Sequence, residues 1–405
     1  LNSKLLLEKV EAYLHKLCLE IPTRRVGSEG NRSATDFFAD TMTSFGFEVE
    51  SPEFECIDWV QDGATLKLGD ISFDVYVSPY SLSCQVGAPL AVISTLEELE
   101  AVDTAEKVIL VKGELAKEQL MPKNFPFYNP DHHKRIIQLL ETKKPQAIIA
   151  ATSRDPAVAG AVYPFPLIED GDFDIPSVYM TEETGYKLAE HEGKQLSLEI
   201  RASRIPAKAC NVITRKGAHS NRRVVLFAHI DAKDGTPGAA DNAAGVIVLL
   251  LLGELLADYS GDLGIEIVAL NGEDYYSSPG EQQYLRINVG KFDDILLGIN
   301  LDGVGYYRGK TAYSLYDCTS KLADLIHEAF SPHQDMVAGE PWYQGDHGLF
   351  LMNQTPALAI TSEKFIELLM EIAHTPKDNP GIVDPNKLIY AALALRDLML
   401  KLDRI

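Results

Sequence analysis

His229 with Asp231, Asp241, Glu273 with Asp274, Asp302, and His374 are far apart along this chain, yet their types suit a single chemistry. Two imidazoles and several carboxylates make a mixed nitrogen and oxygen donor set. Such a set fits two divalent metal ions, zinc first among them, that share one bridging carboxylate. Glu273, beside the candidate ligand Asp274, supplies the general base that a metal-assisted hydrolase needs. Taken singly, each residue has a plainer reading. A histidine at a strand end is more often structural, Asp241 ahead of an apolar helix reads as an N-cap, and Glu273-Asp274 reads as a solvated acidic turn. Asp231 shifts the balance at His229, because it can accept the second imidazole N–H and fix the metal-binding tautomer. Adjacent carboxylates in a cleft repel each other unless a cation intervenes, and Asp302 at the end of an apolar strand needs a partner. The ordered set, rather than any one member, predicts a two-metal hydrolase.

The elements around these residues read as alternating strands and helices. Val224–Ala228, Ile265–Leu270, Leu296–Leu301 and Leu358–Thr361 are apolar strand segments, with a long apolar helix over 243–257 and a terminal helix begun by Asp384-Pro385. This alternation predicts an α/β fold, a mixed, mostly parallel sheet flanked by helices on both faces. In such sheets ligands bind beyond the carboxyl ends of the strands, where His229, Glu273 and Asp302 fall. Upstream, helices are expected over 4–18 and 31–45, joined by a turn-rich connection from Pro22 to Gly30, and Gly46 is expected to stop the second helix. From 56 to 205 the texture changes to short strands, among them an alternating one at Ile71–Val77, Val108–Val111, Ala147–Ala151 and Leu196–Ala202, with a helix over 131–143. That stretch carries none of the metal-type residues. The expected organisation is therefore a catalytic domain in two parts, 1–55 and 206–405, with a small α+β domain inserted at 56–205.

At 405 residues the chain exceeds what one core usually supports. Its net charge of −22 argues against nucleic acid or an anionic membrane as partner. The apolar run Val246–Leu252 is too short to span a bilayer. Five cysteines without paired spacing form neither a disulfide framework nor a thiolate metal site. A cytoplasmic location is expected, or export with a leader removed, and a homodimer is the expected assembly.

The segments AHID (228–231), GAADNAAG (238–245), NGED (271–274), NLDGVG (300–305), GDHGLF (345–350) and AHTPKD (373–378) resemble the M28 family of di-zinc peptidases. The likeness is to aminopeptidases with an inserted protease-associated (PA) domain. RRVGSEGNRSATDFFADTMTSFGFEV (24–49) is similar to that family's N-terminal helix region, and IPSVYMTEETGYKLAE (175–190) to the end of a PA module. The resemblance implies a phosphorylase/hydrolase-like zinc exopeptidase core holding two divalent ions. It implies that Asp241 bridges both ions, that His229 and Asp302 complete one site, and that Asp274 and His374 complete the other. Glu273 is then the general base and Asp231 the residue that orients His229, with a cis peptide at Asp241-Asn242. His347 and Asp346 are expected to line the substrate pocket.

Two departures stand out. The family's usual Glu-Glu pair is Glu273-Asp274 here, and the residue before the last ligand, often Tyr, is Ala373. Tyr275, Tyr276, Tyr306, Tyr307 and Tyr343 are candidates to replace that phenol. The expected activity is release of N-terminal amino acids from peptides. Alternatives are a carboxypeptidase or dipeptidase of the same fold, which needs a cation such as Arg286 or Arg308 for the substrate carboxylate, glutaminyl cyclisation, and a non-catalytic binding protein.

Overall fold

The computed structural model describes residues 3–21, 23–125, 129–154, 162–218, 222–275, 277–343 and 345–404. Pro22 and Tyr276 lie outside the described residues. The chain divides into two compact units, one of Leu1–Cys56 with Lys208–Ile405 and the other of Ile57–Ala207.

The first unit begins with α1 (Ser3–His15), a wide helical turn at Lys16–Glu20, α2 (Glu29–Ser44) and β1 (Glu48–Glu50). The Ser28 hydroxyl caps α2 by accepting from the Asn31 N–H at 3.1 Å. Gly46, at φ +76°, ends that helix as expected, its N–H bonded to Thr43 O and the Phe47 N–H to Met42 O.

The second unit holds β2 (Glu53–Leu68), which begins before its boundary, then β3 (Ile71–Phe73), β4 (Tyr76–Val77), β5 (Cys84–Ile93) and α3 (Leu96–Ala101). These are followed by β6 (Val108–Val111), α4 (Asp131–Lys143), β7 (Ala147–Thr152), β8 (Ser177–Thr181), α5 (Glu182–Ala189) and β9 (Gln195–Cys210). Its sheet has the order β3-β2-β9-β5-β6-β7-β8-β4. The single strand expected at Ile71–Val77 is two, because β3 pairs with β2 and β4 with β8. Ile71 is exposed at the sheet's edge. The fully buried strands β6 and β7 pack on Ile136, Ile137 and Leu140 of α4.

The first unit resumes with β10 (Val212–Lys216), β11 (Arg223–His229), α6 (Ala244–Leu255), β12 (Gly264–Leu270), α7 (Pro279–Ile287) and β13 (Ile295–Leu301). Next come β14 (Thr311–Tyr316), α8 (Ser320–Phe330), β15 (Met336–Ala338), α9 (Gly348–Met352), β16 (Ala357–Ser362), α10 (Phe365–Glu371) and α11 (Pro385–Leu402). The sheet order is β1-β10-β12-β11-β13-β16-β14-β15. Its centre, β12-β11-β13-β16, is parallel. β11 is followed in the chain by β12 on one side and β13 on the other, which makes its carboxyl end a topological switch point.

Strand alternation divides the side chains between two helical layers. Val224, Leu226 and Ala228 of β11 join a core with α1, α2, α6 and α11. The helix α6 is apolar all round because it is buried all round, from Ala244 to Gly253. On the other face Phe227 lies 4.8 Å from the rings of both Tyr284 and Phe350. Gly298 is required there, since a Cβ would meet Phe350 Cγ at 2.2 Å. Among the described residues no helix is long and apolar enough to cross a membrane.

The start of α11 follows the sequence signal. Asp384 accepts from the Asn386 N–H at 3.0 Å, and Pro385 occupies the first turn, where its missing N–H costs nothing. Asp384→Ala is expected to lower stability by about 1 kcal/mol, read as a shift of the denaturant midpoint at unchanged slope.

Candidate metal centre

Three parallel strands deliver the first side chains. β11 ends on His229, β12 leads into Asn271-Gly-Glu273-Asp274, and Asp302 follows the last residue of β13. Asp241 comes from the connection between β11 and α6. There Asp241 (φ −119°, ψ 86°) and Asn242 (φ −137°, ψ 38°) interrupt helical geometry, and the peptide between them is cis, as the resemblance implied. Asp241 is not an N-cap. Asn242 takes that place instead, accepting from the Gly245 N–H at 3.1 Å and donating to Leu301 O at 2.7 Å. Asn242 thus fastens the Asp241 loop to the strand end that carries Asp302. His374 follows α10 with a left-handed φ of +61°, a conformation histidine tolerates better than most residues.

These five side chains meet. His229 Nε2 is 3.1 Å from Asp241 Oδ1 and 3.9 Å from Asp302 Oδ1. His374 Nε2 is 3.3 Å from Asp241 Oδ2 and 3.1 Å from Asp274 Oδ1. Each oxygen of Asp241 therefore faces a different imidazole, with a second carboxylate beside each. Both ring nitrogens of His229 are buried without a hydrogen-bond partner. Close approach without hydrogen-bond alignment is what shared ligands of an ion show, and the donor types match zinc. His229, Asp241 and Asp274 place ligand atoms within 4.8 Å of one another.

The electrostatics agree with a site that wants cations. Burial pushes the Glu273 carboxyl well above its ordinary range, with Asp274, Asp302 and Asp346 adding to the rise and His229 opposing it. Burial also raises Asp302, against the pull of His229. At His374 burial lowers the pKa, but Asp274 and Asp241 outweigh it and push it up to about 10. Bound cations reverse this logic by stabilising the carboxylates and displacing protons from the imidazoles.

Asp231 does more than face the imidazole. Its Oδ1 is 3.7 Å from His229 Nδ1, longer than a hydrogen bond. Its two oxygens accept instead from the Gly272 N–H at 2.8 Å and the Asp274 N–H at 3.0 Å. It shapes the turn that presents Glu273 and Asp274. Asp274 is held further by the Lys233 N–H, which donates to its Oδ2 at 3.0 Å. With its backbone so fixed, the shorter aspartate still brings Oδ1 to His374. Behind the turn, Asn271 and Asn31 exchange reciprocal amide bonds of 2.9 Å, joining α2 to the end of β12.

A cavity of about 110 Å³ opens on this centre. Asp241, Glu273, Asp302 and His374 form its polar end, and Trp342, Phe365, Leu368, Leu369 and Ala373 form apolar walls. Neither His347 nor Asp346, expected to line the pocket, is among the described residues that line this cavity. His347 lies behind the wall, its ring 4.7 Å from Trp342 and its Nε2–H donating to Trp342 O at 2.8 Å. Burial lowers its pKa to about 4, which keeps it neutral. The Tyr316 hydroxyl also donates to Trp342 O and accepts from the Trp342 N–H. Asp346 is buried, and both of its carboxylate oxygens lack a protein partner.

Among the described residues no tyrosine lines the cavity to replace the phenol missing at Ala373. Tyr275 is buried, Tyr306 donates to Glu367 at 2.7 Å, and Tyr307 and Tyr343 are exposed. Arg308 is paired with Glu367, and neither it nor Arg286 lines the cavity. Sequence reading missed Arg24 and Asp378, whose contacts with the Asp241 loop are taken up below. The sole hint was their place inside the segments RRVGSEG and AHTPKD.

Comparison with known proteins agrees with this geometry. The probable lipoprotein aminopeptidase LpqL of Mycobacterium tuberculosis is 24% identical over 292 residues, covering 69% of this chain and 54% of that protein. The chain spans about half the length of the curated relatives it matches. The aminopeptidase from Aneurinibacillus sp. strain AM-1 has the same fold, with a TM-score of 0.75 at 20% identity over 97% of this chain and 93% of that one. The zinc aminopeptidase BSAP from Bacillus subtilis superposes with a TM-score of 0.74 at 18% identity, over 98% of this chain and 94% of that one. Residues 211–399, which contain every member of the constellation, match the profile of peptidase family M28.

Proposed function

We propose that this protein is a two-zinc aminopeptidase. The observation that carries the reading is the division of Asp241, one oxygen toward His229 and Asp302 and the other toward His374 and Asp274. In this reading Asp241 would be shared by two ions, His229 and Asp302 would complete one site, and Asp274 and His374 would complete the other. The names of the relatives, two of them aminopeptidases that share the fold, support the same class.

When bound, the ions supply Lewis acidity, lowering the pKa of water toward about 7 and polarising the substrate carbonyl. Glu273, on the cavity wall, accepts a proton from the attacking water as its oxygen bonds to the carbonyl carbon. The same carboxyl then gives that proton to the amine nitrogen as the C–N bond breaks. Asp231 keeps Glu273 and Asp274 in register through the two amides it binds. The carboxylates at the polar end offer a place for a free α-ammonium group. Among the described residues no lysine or arginine lines the cavity to receive a substrate carboxylate, which favours this reading over a carboxypeptidase. Trp342, Phe365, Leu368 and Leu369 suit an apolar N-terminal side chain. We read the unit Ile57–Ala207 as a PA-like module with no catalytic residue among its described residues, and carry a homodimer and a cytoplasmic location, with export as the alternative, as parts of the proposal.

The test is hydrolysis of a Leu-initiated peptide, free and N-acetylated, with zinc and with chelator. Leucine is expected only from the free peptide and only without chelator. Equal cleavage of both peptides overturns the amine-recognition claim, and chelator-resistant cleavage overturns the metal claim.

A further inference from the structure

Resting on the reading of Asp241 as the bridging ligand, we infer that Arg24 and Asp378 form a charge clamp that positions the Pro237–Asp241 backbone for metal binding. Both act on one short stretch, from opposite ends of the peptide dipole. Arg24 is buried, and its side chain donates to four main-chain carbonyls: Leu17 at 2.7 Å, Ile230 at 2.9 Å, Pro237 at 2.9 Å and Gly238 at 2.8 Å. Asp378 is buried too, and accepts from the Ala240 N–H at 2.7 Å and the Asp241 N–H at 3.1 Å, while its own carbonyl accepts from the Ala239 N–H at 3.2 Å. The cation thus gathers the carbonyls just before Asp241, and the anion gathers the amides up to and including it.

The clamp also links the ligands to one another. Ile230 follows His229, and Asp378 lies on the turn four residues after His374, so three ligand-bearing segments meet in two side chains. A buried guanidinium and a buried carboxylate are costly unless their hydrogen-bonding capacity is met. Here the Asp241 loop supplies both amides that the Asp378 carboxylate accepts from and two of the four carbonyls that Arg24 donates to, so movement of that loop costs both charges hydrogen bonds. Gly238 (φ +58°) completes the arrangement. A Cβ there would meet Arg24 Nη2 at 2.7 Å and Asp241 O at 2.6 Å. A bridging carboxylate must aim two oxygens at two ions, so a small rotation of its backbone is felt at both sites. Neither clamp residue lines the cavity, and both act through the backbone of the Asp241 loop, which makes them positioning residues.

The test is cobalt binding to the full-length protein stripped of metal, by calorimetry and by visible absorption, in wild type, Arg24→Met, Arg24→Lys and Asp378→Asn. Leu395→Ala, a cavity at a buried position of α11 that makes no polar contact with the loop, controls for general destabilisation. Arg24→Met and Asp378→Asn are expected to bind about 10–100-fold more weakly, the range for groups that orient ligands, with an altered cobalt spectrum. Asn keeps one acceptor but turns an N–H toward the other amide. Arg24→Lys, which retains the charge and part of the donor set, is expected to recover some affinity. Leu395→Ala is expected to lose thermal stability but keep the wild-type cobalt affinity and spectrum. Should Arg24→Met not fold, Arg24→Lys and Asp378→Asn carry the same comparison. Wild-type affinity and spectrum in the clamp variants overturn the inference, as does an equal loss in Leu395→Ala. A wild-type protein that takes up no cobalt overturns the metal reading itself, and the clamp with it.

Discussion

Glu273→Gln is expected to lower kcat by about 10²–10⁴-fold, the usual contribution of a general base, with metal content unchanged. Gln is nearly isosteric with Glu but cannot accept the water's proton. None of the contacts among His229, Asp241, Asp274, Asp302 and His374 runs through Glu273. Metal analysis of the purified variant beside steady-state kinetics separates the two roles. Turnover within a few-fold of wild type would remove Glu273 from the chemistry. Loss of metal together with loss of turnover would make it a ligand instead. The geometry argues against that second outcome, because Glu273 faces the cavity while Asp274, one residue on, faces His374.

Asp241→Asn is expected to act the other way, on metal first. The amide removes a negative charge and leaves one oxygen where two are used, so one of the two imidazoles loses its shared partner. Affinity at one site at least is expected to fall well beyond about 100-fold, the upper range for a group that only supports a ligand. The burial that works to raise the Asp241 pKa is outweighed by its contacts with His229 and His374, which hold the carboxyl well below its usual range. The ionised form is therefore the one the site is built around. Two equivalents of tightly held zinc in the Asn variant would end the bridging assignment. Partial rescue of turnover by excess zinc would be consistent with it.

The two variants differ because the residues enter the fold differently. Glu273 sits on a turn whose amides are held by Asp231, so its own side chain supports nothing else. Asp241 is the meeting point of two pairs of candidate ligands, and the loop that carries it is held by Arg24, Asn242 and Asp378.

Much of the arrangement could be read from the chain because it depends on local pattern. The apolar runs before His229, Asn271 and Asp302 foretell strands, and their alternation with helices foretells a parallel sheet with chemistry at its carboxyl end. Asp384-Pro385 and Gly46 mark helix ends through properties of single residues, and the structure uses both as expected. What the pattern could not carry was direction at a distance. His347 and Asp346 sit in a polar motif that suggested a pocket wall. The fold instead turns His347 toward the carbonyl of Trp342 and leaves the indole to face the cavity. Asp231 was expected to serve the imidazole, and beside that ring the strand ends also bring two amides to it, closer than His229 Nδ1.

The sequence by itself determined the donor types, their order and the strands that end beside them, since these rest on side-chain chemistry and short-range periodicity. Only the tertiary structure decided which carboxylate oxygen faces which imidazole, that Ala373 leaves an apolar wall without a phenol, and that Arg24 and Asp378 hold the Asp241 loop from either side. Those are contacts between segments remote along the chain, and their distances are set by how the sheet and its helices pack rather than by anything neighbouring residues encode.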